Sequence, residues 1–133
     1  MKTSSKEPNY FYSFAEVASK SKRAADFLEV RSLENKSVEE ADNRLLKRIY
    51  NIDHNTYMSG ELDALTKELM GLVSSLSLRC DDCIYYHIIQ CYRLGAPRKQ
   101  IEESMNVATV VGGTIVIPHL RRAYTLISEL YAV

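Results

Sequence analysis

Apolar residues recur at helical spacing along most of the chain, and this pattern limits the fold more than any other feature of the sequence. Between residues 62 and 76, leucine and valine side chains fall on one stripe of an α-helix. No stretch alternates apolar and polar residues cleanly enough to predict a β-strand. The sequence therefore predicts an all-α protein.

Capping and breaking residues divide this pattern into about six helices. Ser13 and Ser37 each open a capping-box sequence, which predicts helix starts just after them. Pro118 either starts or kinks the last helix. The helices between are expected at about residues 61–78, 80–94 and 97–111, with Gly95 as a C-cap and Pro97 in a first turn.

The 133 residues suffice for one domain with a buried core. No linker, repeat or low-complexity segment divides them. We expect a single domain over residues 1–133, with its motif-bearing core at about residues 60–131.

Charge and hydropathy narrow the range of partners. Seventeen basic residues balance seventeen acidic ones, whereas a nucleic-acid partner normally requires a basic stripe. The first eight residues contain no apolar segment typical of a secretory signal. The longest apolar run, at 107–118, is shorter than the ~20 residues that span a bilayer. We expect a soluble, cytoplasmic protein with neither a nucleic-acid nor a membrane partner.

The most specific motif is Cys80-Asp81-Asp82-Cys83, followed by His87 and preceded by Glu68. Two thiols, an imidazole and a carboxylate can activate a thiolate, oxidise it and recover a disulfide. Three cysteines do not form a disulfide framework. In a reducing compartment, a close pair is more typical of catalysis, redox chemistry or metal binding.

Helix geometry brings these residues together. At ~100° per residue, Cys80, Cys83 and His87 share one inward stripe of the fourth predicted helix, while Asp81 and Asp82 point elsewhere and complement the helix dipole. Glu68 lies at the edge of the apolar stripe of the preceding helix. If the two helices pack antiparallel, Glu68 and His87 lie at comparable depth.

Local physics leaves the nucleophile open. Cys80 gains most from the helix N-terminus, whereas Cys83 has His87 at i+4 spacing. We do not expect a metal site, because Cys80 and Cys91 lie ~16 Å apart along one helix and cannot share an ion. Cys91 is expected in the core. His54 and His119 have no partner that the sequence identifies.

The spacing of Glu68, eleven residues, Cys80-x-x-Cys83, three residues and His87 resembles the AhpD-like alkylhydroperoxidases of the carboxymuconolactone decarboxylase family. The resemblance begins near Leu62 and runs through Gly112-Gly113 to the final helix. It implies an all-helical fold that assembles as a homotrimer or homohexamer.

The resemblance also implies roles for the four residues. Cys83 attacks a small hydroperoxide and becomes a sulfenic acid, and Cys80 resolves it to a redox-active disulfide. His87 and Glu68 relay the proton through water. No bound cofactor is implied, and a lipoyl-bearing protein or another external thiol re-reduces the disulfide.

The chain departs from that family at Asp82, where AhpD itself has a histidine. A carboxylate facing the nucleophile would make its thiolate harder to form. Two other functions remain open. One is a carboxymuconolactone decarboxylase-type lyase that acts on a small lactone or keto acid through His87 and Glu68. The other is a non-enzymatic, redox-sensing helical oligomer.

Overall fold

The computed structural model describes residues 7–133, and within that range the protein is all-helical, as predicted. The prediction that the first eight residues contain no secretory signal rests mostly on residues 1–6, which lie outside the described range. The described residues contain no β-strand, and one turn of 3-10 helix lies at Thr114–Val116. The α-helices are α1 (Phe14–Lys20), α2 (Lys22–Glu40), α3 (Arg44–Thr56), α4 (Ala64–Ser77), α5 (Asp81–Arg93), α6 (Arg98–Gly112) and α7 (Ile117–Leu130).

The predicted number of about six helices is one too few, because the chain breaks at Ser21. Its backbone is extended (φ −142°, ψ 117°), which ends α1, and its hydroxyl accepts a hydrogen bond from the Ala24 amide to cap α2. The same hydroxyl donates to Glu129 on α7 at 2.8 Å. A contact 108 residues away supports this break, and local sequence patterns do not show it.

The predicted helix start at Ser37 is wrong. α2 continues through Ser37 to Glu40, and the chain turns at Asp42, whose φ of 51° is left-handed. α3 begins after Asn43, which caps it by accepting a hydrogen bond from the Leu46 amide at 3.1 Å. A Ser-x-x-Glu pattern caps a helix only where the serine backbone is extended, and here it stays helical.

The core lies between α4, α5, α6 and α7. α4 packs along α5 and α6, and α7 packs on α5. Burying a large aliphatic side chain contributes roughly 1.5–3 kcal/mol, so these contacts hold the domain together. The fully buried side chains include Leu72, Leu76, Ile84, Ile88, Ile89, Ile101, Met105, Leu126, Ile127 and Leu130.

A tight turn reverses the chain between α4 and α5. Arg79 adopts a left-handed φ of 61°, and the Cys80 amide donates to the Ser75 carbonyl at 3.0 Å. α4 and α5 therefore pack antiparallel, as predicted, and the start of α5 lies at one end of the core.

α3 stands apart from this core. None of its residues is buried, although Leu45, Ile49 and Ile52 share one face at i, i+4, i+7 spacing. This leaves an apolar helix face without a partner in the described protomer.

The segment before α1 is fastened to the end of α5 through Arg93. The Arg93 guanidinium lies 3.8 Å from the ring centre of Tyr10 and 3.7 Å from that of Phe14. Its Nε donates to the Tyr12 carbonyl at 3.0 Å, and the Phe11 amide donates to the Arg93 carbonyl at 2.7 Å. Tyr10 is thereby held beside α5.

Across residues 7–133, no helix has the length and apolar character needed to cross a membrane.

Candidate active site

The two cysteines of the motif form a disulfide at the start of α5. Cys80 is the N-cap, and Cys83 lies in the first turn, with 5.3 Å between their Cα atoms. The Cys83 amide also points at the Cys80 sulfur, 3.3 Å away. A Cys80 thiolate released from this disulfide would therefore meet a helix N-terminus, which stabilises negative charge.

The two cysteine residues differ in their exposure to solvent. Cys83 is exposed and lines a cavity of about 610 Å³, whereas Cys80 is only partly exposed and does not line it. The expectation that both thiols lie on one inward stripe is therefore wrong for Cys83, because helical phase sets which residues share a stripe, whereas exposure depends on what packs over that turn. We call this space the thiol cavity; its walls include Phe27 and Val30 of α2 and Cys83, Tyr86 and His87 of α5.

His87 and Glu68 form a buried pair. The His87 Nδ1 lies 2.6 Å from a Glu68 carboxylate oxygen, and only 8% and 3% of the two residues are exposed. The antiparallel packing of α4 and α5 places them at the comparable depth that the sequence predicts. An ionised Glu68 accepts a hydrogen bond from Nδ1–H. The lone pair of the neutral imidazole is then on Nε2.

Glu68 faces a second cavity, of about 390 Å³, that adjoins the first. We call it the carboxylate cavity. Tyr10, His54 and Gln90 line it on the side away from Cys83, and Tyr57 and Tyr86 belong to both cavities. The Glu68–His87 pair thus lies between the thiol cavity and the carboxylate cavity.

Tyr57 and Gly71 complete the surroundings of His87. The Tyr57 ring, at the C-cap of α3, lies 5.4 Å from the imidazole between ring centres. Gly71 of α4 faces the same ring so closely that a Cβ there would lie 2.6 Å from His87 Cε1. Sequence reasoning missed both residues. Gly71 lies three residues after Glu68, which places it on the same helix face, and this spacing could have indicated it.

Asp81 is not simply a solvated helix-dipole partner. It lies 2.7 Å from His119 Nδ1 and 3.0 Å from Arg122 Nη2, both on α7. Burial opposes ionisation of Asp81, but the hydrogen bonds with His119 and Arg122 outweigh it and hold the pKa of the carboxyl below its usual value. These contacts link Asp81, the residue next to Cys80, to α7. The contact with His119 spans 38 residues, so no local spacing could have predicted it.

Two further residues of α5, Asp82 and Cys91, differ in their surroundings. Asp82 is exposed and lines the thiol cavity beside Cys83, instead of pointing away from the site. Cys91 is fully buried in the core, as expected, and burial, assisted by the nearby Glu68 charge, raises the pKa of its thiol. No group of three or more His, Cys, Asp or Glu side chains within residues 7–133 is arranged to hold a metal ion.

The sequence model of the carboxymuconolactone decarboxylase family matches residues 43–125, more than half of the chain, and spans all four motif residues. The chain belongs to the carboxymuconolactone decarboxylase family. α2, which supplies Phe27 and Val30 to the thiol cavity, precedes the matched region. One wall of that cavity is therefore built by a part of this family member that the family model does not cover.

Two crystal structures of a Thermotoga maritima protein, TM1620, resemble this family member closely. They have TM-scores of 0.77 and 0.75 and are 50% identical to it. Each match covers 79% of this chain and 92% or 89% of the other. One of them is described as a carboxymuconolactone decarboxylase family protein with a suggested involvement in antioxidative response.

An uncharacterised protein from Cupriavidus necator is also similar, at 35% identity over 54 residues. That match covers 41% of this chain and 48% of the other protein, so it spans about half the length of that curated relative. This match shows a sequence relationship, but it does not indicate an activity.

Proposed function

We propose that this protein is a thiol-dependent peroxidase of the AhpD-like type, which reduces hydroperoxides through Cys83 and Cys80. The observation that carries the proposal is a disulfide whose exposed residue, Cys83, shares a cavity with His87, while Glu68 is hydrogen-bonded to the Nδ1 side of that imidazole. The suggested antioxidative involvement of the Thermotoga maritima protein supports the same conclusion.

The reaction follows from the positions of the groups. His87 takes the Cys83 proton, through water, while Glu68 stabilises the imidazolium that forms. The thiolate attacks the terminal peroxide oxygen, the O–O bond breaks, and the alcohol leaves with a proton from the relay. Cys83 is then a sulfenic acid. Cys80 attacks its sulfur and water leaves, so the two thiols have given up the two electrons that reduced the peroxide and are joined as a disulfide.

A dithiol must return those electrons, and we propose a lipoyl-bearing or other thiol protein as the donor. Exchange begins at the more accessible sulfur, so the exposed Cys83 is the favoured point of attack. We also propose a cytoplasmic homotrimer or homohexamer. The unpartnered apolar face of α3 supports the assembly, because a second copy could cover Leu45, Ile49 and Ile52.

The proposal is tested by adding a small excess of hydroperoxide to the reduced protein and mapping thiols by mass spectrometry. We expect consumption of peroxide and a Cys80–Cys83 disulfide. Cys80→Ser should stop at a Cys83 sulfenic acid, which dimedone traps, and Cys83→Ser should not turn over. Cys91→Ala is the matched control and should behave as the parent does. The proposal is wrong if both motif thiols stay reduced, or if Cys83→Ser consumes peroxide at the parent rate.

A lyase of the kind that names the family is the second candidate, because the Glu68–His87 pair can transfer protons without thiols. It predicts that activity on a small lactone or keto acid survives the combined Cys80→Ser and Cys83→Ser changes. A redox-sensing oligomer without catalysis predicts no turnover with either substrate class, and a disulfide that changes only the assembly state.

A further inference from the structure

We infer that Tyr57 is a positioning residue for the His87 base, with its hydroxyl beside Nε2 across a gap that Gly71 leaves open. The inference rests on the proton-accepting role of His87 proposed above. It assigns to α3, which has no buried residue in the described protomer, a direct part in the site.

The first step concerns the two nitrogens of the imidazole. Nδ1 is occupied by Glu68 at 2.6 Å. Only Nε2 is left to exchange a proton with Cys83 or with a water in the thiol cavity. A group that lies beside Nε2 therefore affects the transfer of that proton.

The second step locates Nε2 relative to Tyr57. A Cβ atom built on Gly71 would lie 2.8 Å from His87 Nε2 and 2.9 Å from the Tyr57 hydroxyl. Both atoms thus converge on one point, which is free only because residue 71 has no side chain. The imidazole and the phenol share this gap, and any larger residue would force one of them away.

The third step concerns what the phenol can do there. Burial, with the nearby charges of Glu68 and Asp53, raises the pKa of Tyr57, so its hydroxyl stays protonated. Within residues 7–133, burial and nearby charges act on that hydroxyl but no protein hydrogen bond does, although Tyr57 is only partly exposed. A hydroxyl can donate and accept, so with Nε2 it can hold a water in both protonation states of His87.

The fourth step concerns the place of Tyr57 among the cavities. It lines the thiol cavity together with Cys83 and His87, and it lines the carboxylate cavity together with Glu68. It also borders a third space, of about 380 Å³, beside Gly71. Tyr57 therefore borders all three spaces around the Glu68–His87 pair.

The test follows alkylation of reduced Cys83 by iodoacetamide against pH, with each adduct located by mass spectrometry. Tyr57→Phe keeps the ring and removes the hydroxyl. Loss of one hydrogen bond should slow alkylation roughly two- to tenfold at neutral pH. The midpoint of the pH profile should rise, because the thiolate–imidazolium pair loses a stabilising partner. Gly71→Ala should slow alkylation further by displacing the imidazole.

Tyr85→Phe is the matched control. Tyr85 lies on the same helix as His87, but its hydroxyl accepts from Arg23 at 3.2 Å and lines neither cavity. It should keep the parent rate and midpoint. An unchanged rate and midpoint in Tyr57→Phe overturns the inference, and so does an equal loss in Tyr85→Phe. Alkylation needs no peroxide, so a Tyr57-dependent profile without peroxide turnover refutes the proposed function and leaves the inference standing.

Discussion

The carboxylate of Glu68 lies 2.6 Å from Nδ1 of His87, and both residues are almost completely buried. A buried carboxylate and a buried imidazole each satisfy the other, so neither can be removed without leaving an unpaired polar group in the core. The pair also fixes which imidazole nitrogen remains for chemistry. Stability and reactivity are therefore linked at this one contact.

Replacing Glu68 separates these two effects. Glu68→Gln keeps the shape but loses the charge that stabilises an imidazolium, and we expect Cys83 alkylation to slow roughly tenfold, which is about 1.4 kcal/mol. Glu68→Ala leaves His87 unpaired and should lower the free energy of unfolding by about 1–3 kcal/mol. Urea denaturation and alkylation kinetics measure the two. The exposed Glu103→Gln is the control, and an equal loss in Glu103→Gln would contradict the assignment.

Asp82→Asn should make Cys83 more reactive. Asp82 lines the thiol cavity beside Cys83, so its negative charge opposes the thiolate. We expect alkylation to accelerate about two- to fivefold at low salt, and the gain to shrink as salt screens exposed charges. Asp42→Asn is the control, because it removes one exposed carboxylate far along the chain and asparagine tolerates the left-handed backbone there. A salt-independent gain would argue against this electrostatic cause.

The contact of Asp81 with His119 and Arg122 should contribute stability that depends on pH. Its pKa is lowered in the folded protein, so the contribution is present above the unfolded value of about 3.9 and is lost as pH falls through the folded value. Asp81→Asn should thus be less stable than the parent at pH 7, and the difference should be smaller at pH 2. Denaturant titrations at both pH values measure this.

Asp82→Asn serves as the control for Asp81→Asn, because both remove a carboxylate from the first turn of α5. The helix dipole affects the two alike, but only Asp81 contacts α7. If both variants lose the same stability at pH 7, the contacts with His119 and Arg122 contribute nothing beyond the dipole.

Cys91 provides an internal standard for every thiol measurement. Burial raises the pKa of its thiol, so under native conditions we expect iodoacetamide to label reduced Cys83 and spare Cys91. In concentrated urea all three cysteines should react at similar rates. Peptide mapping by mass spectrometry distinguishes them, and rapid native labelling of Cys91 would mean that the core around α5 opens easily.

A charge on the apolar face of α3 should disrupt the proposed assembly. Ile49→Lys places an ammonium among Leu45 and Ile52, and we expect sedimentation to report a smaller species than the parent. Asn51→Lys adds the same charge to the opposite side of α3 and should leave the mass unchanged. If the parent sediments as a protomer, or if the two variants sediment alike, this face is not the interface.

Local sequence predicted most of the helical fold and failed where distant contacts decide. The antiparallel pairing of α4 and α5, and with it the approach of Glu68 to His87, follows from helix period and a short turn. The break at Ser21 does not, because its hydroxyl is held by Glu129 on α7. The start of α3 was also misplaced, since Ser-x-x-Glu occurs both at helix starts and inside helices.

An all-α chain with Cys80, Cys83 and His87 on one helix follows from local properties alone, namely helical periodicity and i+3 or i+4 spacing. The exposure of Cys83 and the burial of His87 follow from tertiary packing, because exposure depends on which neighbouring helices pack over each turn. Tertiary packing also decided that His119 meets Asp81 and that Tyr57 and His87 share the gap at Gly71. Because these contacts join residues far apart in the chain, residue spacing within one helix cannot predict them.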